Sequence, residues 1–335
     1  MKMSPVVFLA AVVLMALASL AQEVQNPPTL PLGTVKILGL ATCPTNAAKG
    51  AVCKSMRVSC PGIPDLDGTL GVTKPTGTAQ GSIVLISGSG GTAFYNSGFA
   101  DAYVTDGFRV AQFSWNTDWE STGGIGLKTA ACRPATVLQY VFNTIHQKSR
   151  TTGYCGQGLS AGGATMAFAM AHYGLADYLD YVVIGGGPGV SRLDYGCDRA
   201  LYTGPKLNLC PLLTDAPYGF GNGDKVNGWE GTTTCATRNP PQTDIDKWAS
   251  DSIISTGANF SYPKTSMSWY FCTTKPNNST GQGKFLIDQV QPKNVPDVSC
   301  YSGICQNEAV WQDPAAADAT KAEMLSMCVP NHTAR

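Results

Sequence analysis

Ser160 is the residue whose setting most plainly allows chemistry. It lies in Tyr154-Cys155-Gly156-Gln157-Gly158-Leu159-Ser160-Ala161-Gly162-Gly163, with glycine two places before it and two after, where an apolar strand gives way to a helical stretch rich in Ala and Met. So sharp a turn holds its serine in a strained backbone conformation, and the small flanking residues let neighbouring backbone pass without collision. The hydroxyl then stands out at the carboxyl edge of a sheet, the geometry of a G-x-S-x-G nucleophile elbow. A serine hydroxyl is a poor nucleophile until a base takes its proton, so the elbow requires a partner.

The chain has three histidines. His146, at the end of the helix before the elbow strand, reads as a surface residue favourably placed near the carbonyl end. His172 lies twelve residues into the helix after the elbow, roughly 18 Å from Ser160 at the rise of an α-helix. His332 remains, in Cys328-Val329-Pro330-Asn331-His332-Thr333 after the last helix, and the chain order nucleophile, acid, histidine asks for a late histidine. A disulfide from Cys328 would pin that tail over the active edge, while a glycan on Asn331 would crowd the ring.

An oxyanion hole needs two backbone N–H groups aimed at the developing charge. Ala161, next after the nucleophile, supplies one in this reading. The Ser89-Gly90 region of Ser87-Gly88-Ser89-Gly90-Gly91-Thr92 supplies the other, its glycines allowing close approach to substrate. A phosphate-binding loop is the competing reading of these glycines; the lysine of a P-loop and the third glycine of a dinucleotide loop are both missing.

The elements that would position these groups follow an alternating pattern. Apolar runs read as strands at Ser82 to Ile86, Phe108 to Trp115, the stretch into the elbow and Tyr181 to Ile184, with helices at Phe99 to Thr105, Ala135 to Lys148 and Ala161 to Tyr173 between them. Later come a strand at Ser268 to Cys272, a helix around Lys284 to Val290, a strand at Val298 to Tyr301 and a last helix from Ala315 to Met327. Such alternation predicts an α/β fold with a mostly parallel sheet and helices on both faces. Residues 22–80, rich in Pro and Cys, read as a disulfide-tied amino-terminal segment with a few antiparallel strands, and 81–335 as the core. Within it, 190–265 loses periodicity and carries Cys197, Cys210 and Cys235 among aromatics such as Tyr195, Tyr218 and Trp229, the pattern of a lid-like insertion above the carboxyl edge.

Composition narrows the class. Residues 1–21, with Lys2 ahead of an apolar run from Val6 to Ala18, read as a signal peptide, too short to span a bilayer. Formal charge is zero, or minus one without Lys2, so neither nucleic acid nor a membrane surface is an expected partner, and no stable membrane insertion is expected. Twelve cysteines without paired C-x-x-C spacing predict up to six disulfides in an exported protein, with no metal and no cofactor, and Cys43 with Cys53 and Cys300 with Cys305 are near enough in sequence to be local pairs. Sequons at Asn259, Asn277, Asn278 and Asn331 are compatible with a glycosylated surface.

Over most of Gly81 to Cys328 this order of parts resembles the α/β-hydrolase superfamily. More narrowly, Gly158-Leu159-Ser160-Ala161-Gly162-Gly163-Ala164 resembles the elbow of secreted polyhydroxybutyrate depolymerases and feruloyl-type esterases, and Ser87-Gly88-Ser89-Gly90-Gly91 is similar to the H-G-x-G-G loop, with serine in place of histidine. The resemblance implies a secreted serine hydrolase acting through an acyl-enzyme on a small-molecule or polymeric ester. It also implies a base between the eighth strand and the last helix, where this chain has Gln306, Asn307 and Glu308, and an acid after the seventh, where Thr273-Thr274-Lys275-Pro276 offers no carboxylate. Asp194, Asp288 and Asp297 are the alternatives for the acid, which stays unassigned. A hydrolase-fold protein that binds without catalysis is the second reading, and a serine peptidase on the same scaffold a third.

Overall fold

The computed structural model describes residues 29–198, 210, 235, 239–274, 278–305 and 309–332. The chain opens with an antiparallel meander of β1 (Thr34–Leu40), β2 (Val52–Cys60) and β3 (Ile63–Thr73). Then strands and helices alternate: β4 (Gly81–Ile86), α1 (Ser97–Thr105), β5 (Arg109–Trp115), α2 (Leu127–Ala130), α3 (Cys132–Tyr140), β6 (Gly153–Leu159), α4 (Ala161–Tyr173) and β7 (Tyr181–Gly185). There follow α5 (Leu193–Cys197), α6 (Gln242–Asp251), β8 (Ser261–Tyr262), β9 (Ser266–Cys272), α7 (Asn278–Ile287), β10 (Gln291–Pro292), β11 (Asp297–Tyr301) and α8 (Pro314–Met327).

Nine strands form one sheet in the order β1-β2-β3-β5-β4-β6-β7-β9-β11, and β8 pairs with β10 in a small second sheet. From β5 to β11 every pairing is parallel, and β3 joins antiparallel to β5, so the amino-terminal meander is continuous with the main sheet. Side chains of a strand alternate between faces. Accordingly Val84, Phe113, Tyr154, Val182 and Ile184 belong to the core shared with α3 and α4, whereas Ile83, Leu85, Val110, Tyr181 and Val183 pack with Phe99 and Tyr103 of α1 and Met324 of α8. Helices therefore cover both faces, the layering that the alternating pattern predicts.

Local signals set the helix ends. Asn96 accepts from the Gly98 N–H ahead of α1, Asp313 accepts from the N–H groups of Ala315 and Ala316 ahead of α8 with Pro314 in the first turn, and Gly174 closes α4 at φ 73°. α3 is shorter than the Ala135 to Lys148 expectation, because the chain widens into a π turn at Val141–Ile145. α7 begins earlier than the expected Lys284, and within it Gly283 lies against the Gly187 carbonyl and the ring of Phe271, where a Cβ would sit 2.8 Å from the former.

All twelve cysteines are paired: Cys43–Cys53, Cys60–Cys132, Cys155–Cys328, Cys197–Cys235, Cys210–Cys300 and Cys272–Cys305. The expected Cys300–Cys305 pair does not form. Tyr301 lies beside Cys272 in the register of β11 on β9, so the turn after β11 returns Cys305 to Cys272 and leaves Cys300 for Cys210. The expected leader at 1–21 and most of the expected lid, 199–209, 211–234 and 236–238, lie outside the described residues, as do Asn277 and Gln306 to Glu308. No described helix is long and apolar enough to cross a membrane.

Candidate active site

Ser160 sits between the end of β6 and the start of α4 at φ 51°, ψ −114°, a conformation strained for any residue with a Cβ. The turn closes on tight backbone approaches that only glycine permits. A Cβ on Gly158 would meet the Gly162 carbonyl oxygen at 2.3 Å, and one on Gly162 would meet the Ile86 oxygen at 2.3 Å. The Ser160 N–H donates to the Gly185 carbonyl at 2.9 Å, pinning the elbow to the carboxyl end of β7. Among the described residues its Oγ has no hydrogen-bond partner, and the side chain is partly open to solvent.

The loop after β4 runs beside the serine. A Cβ on Gly88 would lie 3.1 Å from Ser160 Cβ and 3.7 Å from Oγ, and Ser89–Gly91 form a single tight turn with φ 52° at Ser89 and 67° at Gly90. Ala161 opens α4, where first-turn amides have no acceptor within the helix. The structure thus brings Ser160, Ala161 and the Ser89-Gly90 turn to one edge of the sheet.

Behind the Ser89–Gly91 turn stands the loop after β5. The Trp119 N–H donates to the Gly90 carbonyl at 3.1 Å, and a Cβ on Gly90 would strike the Asp118 carboxyl carbon at 2.1 Å, so only glycine fits there. Glu120 next to it is 5% exposed, and burial first and the Asp118 charge second push its carboxyl up to about 8. Neither acid stands out in sequence. The signal that could have found them is position, two and four residues beyond Asn116 in the turn that leaves a buried strand at its carboxyl end.

The three histidines are all elsewhere. His146 is buried, not at the surface: its Nδ1 is 3.0 Å from Ser82 Oγ at the amino end of β4, its Nε2 is 3.0 Å from the Ser149 oxygen, and burial holds its pKa down. His172 is buried at the far end of α4, Nε2 2.9 Å from the Ile253 oxygen, and burial lowers it to about 4. His332 is buried too, but at the wrong edge. Its Nδ1 lies 2.9 Å from Asp180 Oδ1 and its Nε2 3.0 Å from the Ala176 oxygen. Asp180 immediately precedes β7, whereas Gly185 at the other end of β7 holds Ser160; five strand residues at about 3.3 Å each separate the two by roughly 16 Å. The Cys155–Cys328 bridge does pin the tail, yet against the amino edge, with the Cys328 carbonyl hard upon Gly153 at the start of β6. His332 is therefore no base for Ser160, and the Asn331 sequon nitrogen is itself engaged with the Asp180 carbonyl at 3.0 Å.

The order of strands, the elbow after the central parallel strand and the glycine turn beside it decide the fold. It is that of the α/β-hydrolases. Among solved structures, brefeldin A esterase, described as a bacterial homologue of human hormone-sensitive lipase, is similar over 97% of this chain and 86% of its own at 16% identity, with a TM-score of 0.50. A bacterial heroin esterase (12% identity, 98% and 91% coverage, TM-score 0.49) and acetyl xylan esterase 1 from Thermoanaerobacterium sp. JW/SL YS485 (12%, 88% and 88%, 0.46) also match. No family model and no curated protein sequence matches the chain.

On this α/β-hydrolase scaffold the three candidate acids are committed to other contacts. Asp194 is buried in a two-pronged ion pair with Arg192, at 2.9 Å from Nε and 2.5 Å from Nη2. Asp288, just past the end of α7 and exposed, pairs with Lys284. Asp297 begins β11 at the amino edge, where burial and the neighbouring Glu323 raise its pKa. After β9, Thr274 Oγ1 donates to the Gly303 carbonyl at 2.9 Å, so that loop carries a hydroxyl where the superfamily resemblance implies a carboxylate.

Proposed function

We propose that the protein is a secreted hydrolase in which Ser160 attacks the carbonyl of a carboxylic ester, of a small molecule or a polymer, and passes through an acyl-enzyme. The observation that carries this reading is the strained Ser160 backbone, at φ 51° and ψ −114°, held by glycines that no side chain could replace. In the attack the Oγ–C bond forms, the proton leaves Oγ for a base, and the carbonyl oxygen becomes an anion facing the amides of Ala161 and the Ser89-Gly90 turn. The alcohol then departs with a proton, and water releases the acid and restores the serine. With every imidazole engaged away from Ser160, the base in this reading is a carboxylate. Glu308, in the segment after β11 and outside the described residues, is the first to test. Six disulfides favour an oxidising compartment and so support export.

The second reading, a hydrolase-fold protein that binds without catalysis, is favoured by the same dispersal of the histidines. A fluorophosphonate probe separates the two. Adduct on Ser160, lost in Ser160→Ala and slowed in Glu308→Gln, is the result expected; no adduct under conditions that label a control esterase refutes the catalytic reading.

A further inference from the structure

We infer that the face of the amino-terminal meander is a second binding site, for a monomeric carboxylate with a medium-length aliphatic tail. A cavity of about 400 Å3 lies there, within the size range of about 300–1,000 Å3 typical of small-ligand sites. Its floor is apolar sheet: Val52 of β2 with Leu70 and Val72 of β3. Val52, the first residue of β2, is an aliphatic side chain left 55% exposed among the described residues.

Its wall is Tyr140 and Ile145, brought together by the π turn. Positions five apart on an ordinary α-helix diverge by about 140°. The wider π turn, closed by the His146 N–H on the Val141 carbonyl at 2.8 Å, narrows that angle and turns both side chains toward the sheet.

The rim is cationic. Lys54 and Lys74 line the cavity, both exposed, and among the described residues no acidic side chain lines it. Among the described residues neither ammonium has an ion pair or hydrogen bond, and the Tyr140 hydroxyl makes none. Two unneutralised cations and a phenolic donor at the mouth of an apolar slot complement one anionic oxygen pair on an apolar tail. The tail needs no charge partner, and a cationic amphiphile is repelled.

The cavity is remote from Ser160. Thr73, at the end of β3, pairs with Val110 near the amino end of β5, while Ser160 follows the carboxyl end of β6. The inference therefore stands whether or not Ser160 is catalytic.

Calorimetric titration with decanoate below its micelle-forming concentration tests it, with butyrate and decyltrimethylammonium as controls. Saturable binding of decanoate at one site is expected, with both controls at least about tenfold weaker, a difference of about 1.4 kcal/mol. Lys54→Glu with Lys74→Glu should weaken decanoate by about tenfold or more without moving the melting temperature, Tyr140→Phe by a smaller factor, and Ser160→Ala not at all. Absent or unsaturable binding by the native chain, equal affinity for the cationic amphiphile, or indifference to the charge reversals overturns the inference. Loss of binding in Ser160→Ala overturns it as well, since the acid would then be held at the elbow.

Discussion

Replacing His332 by Ala separates a structural histidine from a catalytic one. In the native chain Asp180 accepts from the Tyr154 N–H at 2.8 Å, the Asn331 N–H at 2.6 Å, the His332 N–H at 3.1 Å and the His332 ring at 2.9 Å, and the ring's other nitrogen meets the Ala176 carbonyl at 3.0 Å. Truncation keeps the backbone donors and the Cys155–Cys328 bridge, so the tail stays attached. What goes is one hydrogen bond to a charged partner, about 1.5–3 kcal/mol, and one to a carbonyl, about 1 kcal/mol, both in a buried setting. The sum is about 3 kcal/mol, which for a chain of this size lowers the melting temperature by roughly 4–5 °C. Thermal unfolding by calorimetry reads the loss, and fluorophosphonate labelling well below both transitions reads the serine. Unchanged melting with labelling abolished would refute the placement of His332 at the amino edge. Lower melting with labelling intact is the expected pair of results.

The buried carboxyl of Glu120 makes the protein sensitive to alkali. Raised to about 8 from an ordinary 4.5, it holds a proton in the folded state that the unfolded chain has lost, so stability is full below about pH 4.5 and falls as pH rises toward 8. Glu120→Gln should flatten that decline, measured as denaturant midpoints at about pH 5 and pH 8; equal slopes in variant and native protein would be contrary. Gly162→Ala and Gly156→Ala each place a Cβ 2.3 Å from a neighbour, but the first meets the Ile86 carbonyl and the second the tip of Met166. Stability should therefore fall by about 1–3 kcal/mol for Gly162→Ala and by clearly less for Gly156→Ala, read as denaturant midpoints, with slower Ser160 labelling only in the former. Alkylation of the unreduced chain should modify no cysteine, since all are bridged; several modified thiols by mass spectrometry would contradict the pairing.

Periodicity and turn chemistry are local, and what depends on them is legible in the chain. Helix α4 begins and ends where Ala161 and Tyr173 say it should, because an elbow serine precedes it and Gly174 follows. The glycines at 158 and 162 announce a close backbone crossing before any coordinate is seen, and strands β4 to β7 follow from short apolar runs between helices. The parallel sheet with helices on both faces follows in turn, since parallel strands joined by helical crossovers bury both their faces. Partners at long range are another matter. No spacing indicates that Cys300 leaves Cys305 for Cys210, or that Asp118 and Glu120 lie behind Gly90, because those contacts depend on how separate strand ends are brought side by side. His332 is the clearest case. Chain order puts a histidine last and so recommends it, but a tail can reach either end of a sheet, and the Cys155–Cys328 bridge at the start of β6 commits it to the amino edge. Sequence determined that Ser160 stands on an elbow; only the tertiary structure decided that no imidazole stands beside it, since the two ends of one strand are roughly 16 Å apart in space and equally near in sequence to the tail.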